Sequence, residues 1–80
     1  MNNRMVDSEI INYLIENKES SMSELYIKFH IMNKGKIYAG IKSEEITAKD
    51  IVECLEELYK ENIISYKYVN GDKLYYIKEN

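Results

Sequence analysis

Few side chains in this 80-residue chain could do covalent or metal chemistry, and they stand apart. There is one histidine, His30, and one cysteine, Cys54. A metal centre needs several His, Cys or carboxylate ligands at matched spacing, and neither residue has a second His or a Cys pair beside it. Nucleophilic catalysis needs a base in reach of the nucleophile and a third group orienting that base. No glycine-rich phosphate loop, nucleophile elbow or framed carboxylate pair occurs. The chain is expected to bind rather than catalyse, without metal, cofactor or small-molecule substrate. His30 reads as a partly exposed helical residue. Cys54, between apolar helix positions, reads as a small hydrophobe.

The remaining chemistry is charge and aromatic surface. The formal net charge is −3. Between residues 43 and 62 there are seven acids (Glu44, Glu45, Asp50, Glu53, Glu56, Glu57, Glu61) against Lys49 and Lys60, a local charge of −5. The rest of the chain is therefore +2, with lysines gathered at Lys34, Lys36 and Lys42 and again at Lys67 and Lys73. Four of the eight tyrosines (Tyr66, Tyr68, Tyr75, Tyr76) fall among the last fifteen residues. Tyrosines interleaved with lysines can stack unpaired bases. The plainer alternative is that Tyr66 and Tyr75 form a cross-strand core pair, leaving only Tyr68 and Tyr76 free.

Local pattern supplies the elements that must hold these groups. "VDSEIINYLIENKES" reads as a first helix, with Asp7 as N-cap, a stripe of Ile10, Ile11, Leu14 and Ile15, and an end near Asn17 or Lys18. "SSMSELYIKFHIMNKG" reads as a second, with Ser21 and Glu24 as a capping box. Leu25, Phe29 and Met32 at i, i+4 and i+7 are expected to face the core. Ile27 and Ile31 fall on nearly the opposite side, and Gly35 is a natural stop. "KIYAGIKSEE" reads as a packed loop that folds back over Ile27 and Ile31. "ITAKDIVECLEELYKENII" is the third helix, capped by Thr47 and Asp50. It buries Ile51, Leu55 and Leu58 and turns Lys49, Glu53, Glu56, Glu57 and Lys60 outward. In "IISYKYVNGDKLYYIKEN", Asn70-Gly71 marks a two-residue hairpin turn, because both positions need positive φ. That turn sets Ile64 opposite Ile77, Tyr66 opposite Tyr75, and Tyr68 opposite Lys73.

Residues 1–5 are expected to be a flexible N-terminus, and residues 6–80 a single domain. One core is what so short a chain can build. No apolar run nears membrane-spanning length, and the opening residues lack the apolar core of a secretory signal. With a lone cysteine, a reducing cytoplasmic setting is expected.

Three helices followed by a two-stranded hairpin resemble the winged helix-turn-helix superfamily. The residues carrying the resemblance are "MSEL" opening the second helix, "ITAKDIVECLEELYKENII" as the third, and "YKYVNGDKLYYI" as the wing. The resemblance implies a mainly α fold with a small β-hairpin, and a strand bridge near Met22. It also implies a third helix that presents Ala48, Lys49, Val52, Glu53 and Glu56 to the major groove. The chain departs from the family in the dozen residues between Asn33 and Thr47, where a tight turn is usual.

Two functions follow, and they pull apart. The family's usual role implies a small DNA-binding transcriptional regulator. It would hold duplex through Lys34, Lys36 and Lys42, Lys49, and the wing residues Lys67, Tyr68 and Lys73. The charge points to a protein-interaction module or nucleic-acid mimic, its acidic third helix (Glu53, Glu56, Glu57) docking on a basic partner. Ile27 and Ile31 add an apolar surface that either the 33–46 linker or a second copy must cover, and a homodimer is expected.

Overall fold

The computed structural model describes residues 4–79. Helix α1 spans Arg4–Asn17. It therefore takes in Arg4 and Met5, which the sequence left in the N-terminal tail, while residues 1–3 lie outside the described residues. Asp7 is not the N-cap but sits within the first turn, where the helix dipole still favours an acid. The reason is Val6. It is fully buried, and Val6, Ile10 and Leu14 at i, i+4 and i+8 make a stripe that needs helix before Asp7. That stripe leaves Ile15 on the exposed flank and Ile11 half-buried, against expectation. The helix stops at Lys18, whose φ of 70° is left-handed.

Strand β1, Glu19–Ser20, follows at once. Helix α2, Met22–Ile27, starts where expected, with Ser21 Oγ accepting from the Glu24 amide at 3.2 Å, the forward half of the capping box. Met22 is thus the first helical residue, and the strand bridge falls just before it.

The second helix then departs from its pattern. Lys28–Met32 is a π-helical turn, with the Asn33 amide donating to the Lys28 carbonyl at 2.8 Å. The wider turn inserts a residue per repeat, so after Phe29 the core-facing position is Asn33 rather than Met32. Met32 is 65% exposed and Asn33 is buried. Burying an amide demands partners, and Asn33 Nδ2 donates to Glu9 Oε1 and to Tyr38 Oη, each at 2.8 Å.

The linker is not a loop over Ile27 and Ile31. It is a miniature hairpin, β2 (Ile37–Tyr38) and β3 (Ile41–Lys42), then a 3-10 turn at Ser43–Glu45. Ala39 and Gly40 take φ of 51° and 86°, a tight turn with both central residues left-handed. Tyr38 is buried edge-on to Phe29, with ring centroids 5.5 Å apart. The Ser43 amide donates to Lys36 O at 2.8 Å, and Ser43 Oγ donates to Phe29 O. His30 Nε2 donates to the Ile46 carbonyl, and its ring stacks on Tyr26. These bonds tie the linker to the π turn, and Ile27 and Ile31 stay 49% and 69% exposed.

Helix α3, Ala48–Lys60, carries the full Thr47/Asp50 capping box, at 3.1 and 3.0 Å. Ile51, Cys54, Leu55 and Leu58 are buried as expected. Each such side chain contributes about 1.5–3 kcal/mol. That outweighs the few tenths of a kcal/mol lost between like charges on the outer face. Strands β4 (Ile64–Val69) and β5 (Asp72–Ile77) pair in the expected register around Asn70-Gly71. β1 adds to the far side of β5 through Glu19↔Tyr76 and Ser20↔Tyr75, giving the antiparallel order β1-β5-β4. The fold is three helices with a small antiparallel sheet. No helix among the described residues is long and apolar enough to cross a membrane.

Candidate nucleic-acid interface

The acids of the 43–62 stretch are not all equally placed to meet a phosphate. At about 100° per residue, Glu53, Glu57 and Glu61 form one row at steps of about 40°, with Glu56 about 60° to the other side of Glu53. Glu57 and Glu61, at the edge of that row, also reach toward α1. There, with Asp7 and Ser8, they line a groove of ≈ 350 Å³. Asp50 is consumed in the capping box. Glu44 accepts from the Gly35 amide at 3.2 Å. Backbone hydrogen bonds hold its carboxyl below the usual range, with the charges of Lys34 and Lys42 adding to the shift. The outward strip of α3 is Lys49, Glu53, Glu56, Glu57 and Lys60, two lysines against three acids, with Glu57 at its edge.

Lys34, Lys36 and Lys42 are all exposed, around the miniature hairpin that leads into α3. The Ser43–Lys36 hydrogen bond and the Ile37↔Lys42 pairing keep Lys36 and Lys42 close. Lys49 is exposed in the first turn of α3.

The two wing lysines part company. Alternation along the paired strands puts Tyr66, Tyr68, Lys73 and Tyr75 on the α3 side and Lys67, Leu74 and Tyr76 on the other. Lys67 pairs with Glu19 at 3.5 Å and lies over the Tyr76 ring. It borders a separate broad groove with Ile15 and Lys18. Lys73 lies 4.2 Å from the Tyr66 ring centroid and 5.2 Å from that of Tyr75. A hydrogen bond to the Tyr75 hydroxyl holds its ammonium above the ordinary lysine range.

Between α3 and the sheet runs a shallow groove of ≈ 180 Å³, walled by Leu55, Tyr59, Tyr66 and Tyr75 and rimmed by Glu56, Lys60 and Lys73. Tyr59, Tyr66 and Tyr68 are 47%, 37% and 66% exposed. Tyr66 and Tyr75 do form a cross-strand ring pair, 6.2 Å between centroids, in which Tyr75 is half-buried against the core and Tyr66 lies at the open edge. Sequence reasoning set Tyr59 and Lys60 on the helix but did not join them to the hairpin. The signal was present in the register, which brings Tyr66 to the side on which α3 packs.

Cys54 is buried, and burial together with the Asp7 carboxylate pushes its thiol up. Among the described residues no three His, Cys, Asp or Glu side chains converge as metal ligands. Comparison with family models, with curated proteins and with solved structures gave no match.

Proposed function

We propose that the chain is a small winged-helix DNA-binding protein of the transcriptional-regulator class, gripping duplex chiefly through lysines outside α3. The observation that carries this reading is the strand order β1-β5-β4. A short strand between the first two helices joins the return strand of a C-terminal hairpin, which is how a winged-helix scaffold is built. Charge on α3 opposes it in part. An acid beside a phosphate costs on the order of 1 kcal/mol in water. Lys49 and Lys60 offset two of the three acids Glu53, Glu56 and Glu57 on the strip that would face the groove. The net grip falls to Lys34, Lys36 and Lys42, with Lys73 on the α3 side of the wing and Lys67 reaching phosphate only after leaving Glu19.

The test is binding of a labelled random duplex at low and moderate salt. Changing Lys34, Lys36 or Lys42 to Ala should weaken binding on every sequence and flatten the salt slope by about one unit each. Lys67→Ala should do less than Lys73→Ala. Duplex ignored even at low salt would refute the reading.

One observation favours a second reading, a docking site for a basic protein segment: Asp7, Glu57 and Glu61 around the α1–α3 groove. A lysine-rich peptide should then bind in a salt-sensitive manner, and Glu57→Lys with Glu61→Lys should abolish that while leaving duplex binding intact. A homodimer through Ile27, Ile31 and Met32 fits either reading, since all three remain exposed on one helix. Ile27→Asp with Ile31→Asp should give a folded monomer by light scattering. A wild type monomeric at high micromolar concentration would remove the dimer.

A further inference from the structure

We propose that the groove between α3 and the wing is a binding slot for one unpaired base of a single-stranded nucleic acid, selecting bases that carry an exocyclic amine. Three features of the groove agree on that ligand. Its walls are aromatic and open. Tyr59 and Tyr66 meet at 5.3 Å between centroids with a 45° tilt, and Tyr68 stands edge-on to Tyr66 at 6.0 Å. Rings this close admit nothing between them, so a flat ligand lies against them from the groove side. The core does not need these rings, since it closes with Tyr75 and Ile77 packed on it.

The rim is bipolar. Lys60 and Lys73 stand beside an otherwise apolar slot, and Glu56 stands with them. An ionised carboxylate only accepts hydrogen bonds, so the ligand edge that meets Glu56 must donate. Cytosine N4 and adenine N6 do so. Thymine has one ring N–H between two carbonyl oxygens, which a carboxylate repels. The lysines then meet the flanking phosphates. Lys73, which now covers the faces of Tyr66 and Tyr75, exchanges ring for phosphate as the base takes its place.

Size agrees as well: ≈ 180 Å³ is room enough for a single base. This inference rests on the nucleic-acid reading above and extends it from duplex grip to strand recognition. An acid in the reading strip that is a liability against intact duplex becomes the group that chooses the base.

The experiment titrates the full chain with oligo-dC and oligo-dT of about a dozen nucleotides, a length within the usual site range. Intrinsic tyrosine fluorescence is the readout, because there is no tryptophan to mask it. Oligo-dC should quench the tyrosines and bind at least about fivefold tighter than oligo-dT, the low end of one stacked, hydrogen-bonded base. Tyr66→Ala should weaken oligo-dC about tenfold. Tyr68→Ala, at an exposed position that leaves folding alone, should weaken it by a smaller factor. Glu56→Ala should remove the preference for dC while leaving oligo-dT binding equal or stronger. Duplex bound with both single strands ignored would overturn this inference and leave the proposed function standing. Neither duplex nor single strand bound would overturn both. Single strands bound equally by wild type, Tyr66→Ala and Tyr68→Ala would overturn the slot, as would quenching by an apolar peptide but not by oligo-dC.

Discussion

The two hairpins of this protein turn the same way and do opposite things. Ala39-Gly40 has φ of 51° and 86°, and Asn70-Gly71 has 52° and 86°. The first hairpin has two-residue strands and sends Tyr38 into the core against Phe29. The second has six-residue strands and leaves Tyr66, Tyr68 and Val69 to solvent near its tip. Turn geometry therefore does not decide whether a hairpin is a plug or a platform. What decides is how far the strands outrun the surface that they pack on. Two residues reach only the core, whereas six carry the tip beyond it.

The sharpest way to break this contrast is to truncate one tyrosine from each. Tyr38→Ala should lose about 3–5 kcal/mol by denaturant unfolding, because it removes a buried ring and one of the two acceptors of the buried Asn33 amide. Tyr68→Ala should stay within about 0.5 kcal/mol, as exposed substitutions do. Equal losses would mean the wing is no platform.

A smaller effect separates the turns themselves. Left-handed backbone costs an ordinary L-residue about 1–2 kcal/mol, and asparagine visits it more readily. Ala39→Asn should therefore stabilise the fold by about 0.5–1 kcal/mol. Asn70→Ala should destabilise it by a similar amount. Melting both variants beside the wild type reads the two signs directly.

The smallest effect is a dependence on alkali. Burial first, and then the Glu9 charge, hold the Tyr38 hydroxyl above the ordinary value of 10.0, against the lowering influence of the Asn33 hydrogen bond. The folded state thus keeps a proton that the unfolded state releases. The associated stability is complete below pH 10 and declines as pH climbs from there through the folded value. Tyr38→Phe should lack that decline, and the difference between the two stability curves above pH 10 measures it.

What could be read in advance tracks how local the determinant was. The Thr47/Asp50 box, the α3 stripe and the Asn70-Gly71 register each depend on a few adjacent residues, and each was legible. The π turn was not. Its wide repeat is chosen because Asn33, once turned inward, finds Glu9 and Tyr38, partners 24 and 5 residues away. The mistaken inward position of Met32 follows from that choice. The Ala39-Gly40 turn was hidden by its alanine, which does not advertise a left-handed backbone. The start of α1 was misjudged because the demand came from the core, through Val6, and the polar signal at Asp7 stood in the way. Among the proposed site residues, Lys34, Lys36 and Lys42 are exposed. The opposed faces of Lys67 and Lys73 needed only the alternation rule applied to both. The reach of Glu57 toward α1 needed the position of α1.

β4 is the outermost strand of its sheet, and that has a consequence for how the protein behaves in a concentrated solution. In a two-residue hairpin the pair flanking the turn, Val69 and Asp72, exchanges hydrogen bonds, so the amides and carbonyls of Ile64, Tyr66 and Tyr68 point away from β5. On the far side of the sheet β1 covers Tyr75 and Tyr76. Along β4 the one charged residue is Lys67. An edge of this kind is a template for growth by strand addition, held in check by a single positive charge, because two copies centred on Lys67 would set ammonium against ammonium. Lys67→Gln should therefore shorten the lag before thioflavin-positive fibres form on prolonged agitation. An unchanged lag would mean that the edge is closed by something other than charge.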